Sequence, residues 1–126
     1  MASHQLAGAR LLVVEDEYYL ADDARSVLCD EGAEVRGPVA TVAEASALIE
    51  DGTSIEAVLL DVNLRGEMAF EVADALQARN IPFAFVTGYD RAALPERFAT
   101  VPRLGKPVDP AQLVKLFATL TGQTSP

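Results

Sequence analysis

Carboxylates that follow apolar runs are the side chains of this sequence best placed to do chemistry. The first apolar run, residues 11–14, ends in Glu15, Asp16 and Glu17, and a later run ends in Asp61. If the two runs form neighbouring parallel strands, their carboxylates meet at one edge of a sheet. Because clustered carboxylates repel each other, a fold seldom gathers them without a cation or a proton to offset the repulsion. Asp61 is therefore a candidate for chemistry.

A hydroxyl and an amine follow two further predicted strands. Thr87 comes directly after the apolar run 83–86, and Lys106 lies just before the last predicted helix. Carboxylates with a few waters suit Mg²⁺, which prefers oxygen ligands. A protonated lysine can pair with an anion bound beside the metal, and a threonine hydroxyl can donate a hydrogen bond to it. Together these groups are the parts needed to receive and hold a phosphoryl group.

The composition indicates one acidic globular domain. The chain has 126 residues, half of them apolar, and we expect a core at about residues 9–121, with residues 1–8 and 122–126 loose. The formal charge of −9 disfavours direct binding to nucleic acid. We expect no secretory signal and no membrane helix, because no apolar run approaches about 20 residues. The single cysteine, Cys29, fits a reducing cytoplasm and is expected to be a small core residue of a helix.

Strand-like apolar runs alternate with helical periodicity, which predicts five βα units. The predicted strands are residues 10–14, 34–39, 57–60 and 83–86, with a fifth before Lys106. Thr41 with Glu44 predicts the start of the second helix, and Asp109 with Pro110 predicts the start of the last. Glu17 opens the first helix and is interpreted as a solvated carboxylate favoured by the helix dipole. The alternation implies a doubly wound parallel α/β sheet with functional groups beyond the carboxyl ends of its strands.

These motifs resemble the receiver domain of two-component response regulators over about residues 10–120. The parts of the resemblance occur in order at the ends of predicted strands: Glu15-Asp16, Asp61, Thr87 and Lys106-Pro107. The resemblance covers nearly the whole chain. It implies a flavodoxin-like sheet of five parallel strands in the order 2-1-3-4-5.

The resemblance also implies a role for each residue. Asp61 would accept a phosphoryl group from a histidine kinase or a histidine phosphotransfer protein, and Lys106 and Thr87 would contact its oxygens. The ligands of Mg²⁺ would be Glu15, directly or through water, Asp16, Asp61 and the backbone carbonyl of Asn63. The protein would be no enzyme but a cytoplasmic signalling module, a monomer or weak homodimer that acts through contact with a downstream partner protein.

A narrower resemblance lies in residues 82–89, Pro-Phe-Ala-Phe-Val-Thr-Gly-Tyr. This run is similar to the signature of the FAT GUY subgroup, whose members are often stand-alone receivers, although Val86 replaces the usual alanine. The subgroup is expected to have a weakly formed fourth helix. Pro95 and Pro102 independently predict that any helix in this crossover is short, near residues 95–99.

Two positions depart from the usual receiver pattern. The Tyr or Phe common three residues before the lysine is Arg103 here, and Tyr89 is the candidate switch residue in its place. The proline common in the loop after the phosphoacceptor is also missing, and Arg65 precedes Gly66 in that loop.

Three alternatives remain open at the level of sequence. The chain could be a receiver fragment of a longer response regulator or hybrid kinase. It could be a degenerate receiver that works by protein contact alone. It could also be a Mg²⁺-dependent phosphatase with an aspartyl nucleophile, of the haloacid dehalogenase type. That family uses a second aspartate two residues after the first, where this chain has Asn63.

Overall fold

Two neighbouring inner strands of the sheet are buried along their whole length, which explains why each begins with an unbroken apolar run. The computed structural model describes residues 5–52, 54–88 and 94–122. Every residue of β3 (Ala57–Asp61) and β6 (Phe83–Thr87) is buried. A strand covered by helices on both faces of a parallel sheet has no solvent side and so needs no polar alternation.

The other strands are β1 (Arg10–Val14), β2 (Glu34–Val39), β7 (Arg103–Gly105) and the strands of a separate hairpin, β4 (Asn63–Leu64) and β5 (Glu67–Met68). Five parallel strands form the sheet, in the order β2-β1-β3-β6-β7. When the five strands of the sheet are counted alone, their order is 2-1-3-4-5. The predicted α/β class and strand order are therefore confirmed.

Helices cover both faces of the sheet, and each face has its own apolar core. One face carries α1 (Tyr18–Asp30) and α4 (Pro110–Leu120), and the other carries α2 (Val42–Glu50) and α3 (Phe70–Ala78). Among the described residues, none of the helices combines the length and the apolar character needed to cross a bilayer.

Side-chain caps fix the starts of two helices where the sequence predicts them. The hydroxyl oxygen of Thr41 accepts a hydrogen bond from the backbone N–H of Glu44 at 3.1 Å. The Glu44 carboxylate in turn accepts from the Thr41 hydroxyl at 3.1 Å and from the backbone N–H of Ala40 at 3.3 Å. The Asp109 carboxylate accepts from the backbone N–H of Ala111 at 3.3 Å. These bonds satisfy N–H groups that have no partner within the helix.

The hairpin after Asp61 is a feature that the sequence did not predict. Its strands β4 and β5 are antiparallel and are joined by two residues, Arg65 and Gly66. Both have positive φ, 55° and 86°. Positive φ at both central positions is the geometry of the type I′ turn, which suits two-residue hairpins.

The fourth crossover contains a single turn of 3₁₀ helix, Glu96–Phe98, within its described part. Phe98 is fully buried, and its ring lies 5.5 Å from that of Phe85, 5.8 Å from that of Phe70 and 6.4 Å from that of Phe83, measured between centroids. The predicted short helix is confirmed there. The aromatic contacts anchor a segment that has little helical hydrogen bonding of its own.

Two expectations from the sequence differ from what the described residues show. Residues 1–8 are expected to be loose, but within the described part of that range, residues 5–8, Leu6 is fully buried and its backbone N–H donates to the carbonyl of Glu31 at 2.9 Å. Cys29 was expected in the core, but it is exposed. Its neighbour Leu28 is buried instead, because successive residues of a helix point about 100° apart.

Candidate functional site

Parallel register brings three carboxylates together at the carboxyl edge of the sheet. Val14 of β1 lies opposite Leu60 of β3, so Glu15 and Asp61 leave the two strands at the same level. One carboxylate oxygen from each of Glu15, Asp16 and Asp61 lies within 4.8 Å of the others. Glu15 and Asp61 are buried, and Asp16 is half-buried. The expected meeting of these carboxylates is therefore observed.

Both oxygens of Asp61 have hydrogen-bond donors. Oδ1 accepts from the backbone N–H of Asn63 at 3.0 Å, and Oδ2 accepts from Nζ of Lys106 at 2.8 Å. The side chain of Asp61 is 3% exposed. A buried carboxylate fixed at both oxygens has one orientation, so the acid at the centre of the cluster is positioned before any ligand arrives.

The ammonium of Lys106 lies among three acidic side chains. Besides Asp61, it is 3.4 Å from Oε1 of Glu17 and 3.5 Å from Oε1 of Glu15. Burial alone lowers the pKa of Lys106, but its hydrogen bond to Asp61 and the surrounding negative charges outweigh that effect, so the pKa is raised above its ordinary value. Lys106 therefore stays protonated, and its charge offsets part of the repulsion in the cluster.

Glu15 offsets the rest of the repulsion by holding a proton. Burial, followed by the hydrogen bond and charge of Asp61, raises the pKa of Glu15 to about 8, against the opposing effects of the Glu17 backbone N–H and the Lys106 charge. The N–H of Glu17 donates to Oε2 of Glu15 at 3.0 Å. The ammonium of Lys106 and the proton on Glu15 thus both reduce the repulsion between the clustered acids.

The unpredicted hairpin contributes a backbone contact to the same site. The N–H of Arg65 donates to Oδ2 of Asp16 at 3.0 Å, and the N–H of Gly66 donates to Oδ1 of Asn63 at 2.8 Å. Asp16 is otherwise the most accessible acid of the three. The hairpin tip therefore helps to position the Asp16 carboxylate.

Thr87 and Asn63 line the same cavity as Asp61 and Lys106. Thr87 is buried at the end of β6, and its carbonyl accepts a hydrogen bond from the backbone N–H of Lys106 at 2.9 Å. This bond continues the β6–β7 pairing and sets Lys106 beside Thr87. Tyr89, the candidate switch residue, lies outside the described residues.

The acids fit a hard divalent cation. All three offer carboxylate oxygens, the ligand type that Mg²⁺ takes, and opposite ligands of an octahedral Mg²⁺ lie about 4.2 Å apart. The 4.8 Å limit within which Glu15, Asp16 and Asp61 place one oxygen each is close to that spacing. These residues could therefore hold the ion with small side-chain movements.

Comparisons with known proteins identify the family. A scan against protein-family models gave no match, and a search of curated proteins gave none. Among solved structures, a response regulator receiver protein from Sinorhizobium medicae matches with a TM-score of 0.79 and 27% identity, over 91% of this chain and 95% of that one. SdrG from Sphingomonas melonis is 38% identical over 91% of this chain and 97% of its own, with a TM-score of 0.67. The chain belongs to the receiver domains of response regulators.

Another match covers only part of a longer protein. The response regulator PhyR from Brucella abortus is 28% identical with a TM-score of 0.75, and the matched region is 94% of this chain but 50% of PhyR. The region that matches this chain therefore makes up most of the chain in some neighbours and half of it in PhyR.

Two contacts of this receiver domain were missed from the sequence. Glu17 was interpreted as a solvated carboxylate, and its side chain is indeed 59% exposed, but it also pairs with Lys106. The second contact is the hydrogen bond from the backbone N–H of Arg65 to Asp16. The motif Glu-Asp-Glu carried a signal for the first contact, since a third acid beside a cluster can reach the same lysine. Nothing in the sequence pointed to the second.

Proposed function

We propose that this receiver domain accepts a phosphoryl group on Asp61 and signals through protein contacts. The observation that carries the proposal is the 2.8 Å pair between Asp61 and Lys106 inside a buried acidic cluster. An isolated buried carboxylate would be costly, and a purely structural ion pair would need no additional acids beside it. The arrangement suits a site that receives an anion and a metal together.

Phosphoryl transfer follows from the groups around Asp61. An oxygen of Asp61 forms a bond to phosphorus as the bond from phosphorus to the donor breaks. With a phosphohistidine protonated on its other ring nitrogen, the electron pair of the P–N bond returns to nitrogen and neutral imidazole leaves. Lys106 and the Thr87 hydroxyl would contact oxygens of the transferred group.

Mg²⁺ would be held by Glu15, Asp16, Asp61 and the backbone carbonyl of Asn63. When bound, it would neutralise negative charge on the phosphoryl oxygens and on the acids around them. The partners proposed are a histidine kinase or histidine phosphotransfer protein and a downstream protein. We place the chain in the cytoplasm as a signalling protein, not an enzyme with a separate substrate.

The stand-alone FAT GUY role belongs to this proposal as well. It is supported by the run at residues 82–88 and by the minimal helix of the fourth crossover. A receiver fragment of a longer regulator is the second candidate, because PhyR is about twice as long as the region matched. The phosphatase alternative is disfavoured by Asn63, whose side-chain oxygen accepts from Gly66 in the position where that family needs an acid.

The test is phosphorylation by a small-molecule donor. With phosphoramidate and Mg²⁺, intact-mass measurement should show one phosphoryl adduct on the native chain and none on Asp61→Asn. Glu50→Gln is the matched control, because this exposed residue is the last of α2 and lies at the amino ends of the strands, away from the site at their carboxyl ends. It should be labelled like the native chain. An adduct that persists in Asp61→Asn would exclude Asp61 as the acceptor.

A further inference from the structure

Glu17 is an acid of the site that neither the acceptor nor the proposed metal uses. Its side chain lines the cavity that also contains Asp61, Thr87 and Lys106. It is not among the three acids whose oxygens cluster within 4.8 Å of each other. The side chain is 59% exposed, so its charge faces any ligand that enters from solvent.

The position of Glu17 places it beside the incoming phosphoryl group. Its Oε1 is 3.4 Å from Nζ of Lys106, the ammonium proposed to pair with a phosphoryl oxygen. A phosphoryl oxygen at hydrogen-bond distance from Nζ can be no more than about 6.4 Å from that Glu17 oxygen. A donor with more negative charge therefore meets more repulsion from Glu17.

We infer that Glu17 is a specificity-determining residue that disfavours dianionic phosphodonors relative to donors whose leaving nitrogen carries a positive charge. The inference rests on the proposed phosphorylation of Asp61 and names the class of donor that the site prefers. A protonated phosphohistidine belongs to the preferred class. A free acyl phosphate, a dianion at neutral pH, belongs to the other.

Two small donors differ in this property. Acetyl phosphate carries charge −2 at neutral pH, and its P–O bond breaks with the electron pair leaving on acetate. Phosphoramidate is protonated on nitrogen and carries net charge −1, and its P–N bond breaks with the electron pair leaving on ammonia. At about 6 Å in water, the repulsion between two unit negative charges lowers a reaction rate about threefold. Removal of the Glu17 charge should therefore raise the rate of phosphorylation by acetyl phosphate about tenfold and the rate of phosphorylation by phosphoramidate about threefold.

Glu17→Gln is the variant that tests the inference. Glutamine keeps the size of the side chain, and it keeps the backbone N–H that donates to Glu15 and the carbonyl that accepts from Ala21. Glu50→Gln removes the same charge far from the site and is the control for net charge. Initial rates of adduct formation are measured by intact mass with both donors, at subsaturating donor and saturating Mg²⁺.

The expected result is a threefold shift of the acetyl phosphate to phosphoramidate rate ratio in Glu17→Gln and no shift in Glu50→Gln. An unchanged ratio in Glu17→Gln, whether both rates rise together or neither changes, would overturn the inference and leave phosphorylation of Asp61 intact. Failure of the native chain to form an adduct with either donor would instead remove the proposed function, and the inference with it.

Discussion

Lys106 and Glu15 together reduce the repulsion between the buried acids of this site. The ammonium contacts Asp61 directly, and the raised pKa of Glu15 keeps that group protonated at neutral pH. The sequence predicted that these acids meet, because each follows a strand. It could not predict which acid holds a proton, because that depends on burial and on a contact between residues 46 positions apart.

At the residue scale, the free energy of unfolding of the metal-free protein should fall as pH rises from about 4.5 to about 8. The pKa of Glu15 is raised from 4.5 to about 8 on folding. Between these values the folded chain holds a proton that the unfolded chain has released, so stability decreases with pH. Below about pH 4.5, Glu15 is protonated in both the folded and the unfolded chain, so it no longer makes stability depend on pH. Urea unfolding in the presence of a chelator measures the trend.

Glu15→Gln is the matched variant for this prediction. The amide imitates the protonated acid in shape and can donate to Asp61, but it does not titrate in this range. Its free energy of unfolding should therefore depend less on pH over the same window. Equal slopes in the native chain and the variant would show that Glu15 is not the titrating group.

At the scale of elements, strand order and helix caps could be predicted, but the hairpin after Asp61 could not. The strands and two of the helix starts follow from local signals, namely the apolar runs and the caps at Thr41 and Asp109, and the structure has them where these signals predict. The hairpin requires φ of 55° at Arg65, a conformation that arginine seldom adopts. No local sequence pattern predicts it. The tertiary contact from the Arg65 N–H to Asp16 helps to hold it.

Arg65 also explains why the proline common in this loop of receiver domains is missing. Proline fixes φ near −65° and has no N–H, so it could form neither the turn nor the bond to Asp16. We expect Arg65→Pro to lower the free energy of unfolding by about 3 kcal/mol. Arg65→Gly should be neutral or stabilise the chain by up to about 1 kcal/mol, because glycine adopts positive φ without strain.

Urea unfolding of the two variants, with Arg65→Ala as reference for loss of the side chain, measures these effects. The alanine variant keeps the N–H and should lie between the other two. If Arg65→Pro were as stable as Arg65→Ala, neither the positive φ nor the bond to Asp16 would matter to the fold.

At the scale of the whole molecule, folding itself creates the metal site. The acids lie at the carboxyl ends of two strands separated in sequence and meet only when β1 and β3 pair. An unfolded chain therefore disperses them, and a ligand that binds only the folded chain stabilises it by mass action. The net charge of −9 adds long-range attraction for a cation.

Mg²⁺ should accordingly raise the stability of the native chain. At ten times the dissociation constant, the gain should be about 1.4 kcal/mol. Asp16→Asn should lose most of this gain, whereas Glu50→Gln should keep it. Urea unfolding with and without Mg²⁺ measures the difference. An equal gain in Asp16→Asn and the native chain would place the ion elsewhere.

The measurement that tests the central claim most directly is chemical mapping of the phosphorylated residue. Borohydride reduces an acyl phosphate to an alcohol, so a phosphorylated aspartate becomes homoserine and is located by mass spectrometry of peptides. After treatment with phosphoramidate and Mg²⁺, we predict homoserine at position 61 and at no other carboxylate. Homoserine at another aspartate, or an adduct that leaves position 61 unchanged after reduction, would contradict the assignment of Asp61 as the phosphoacceptor.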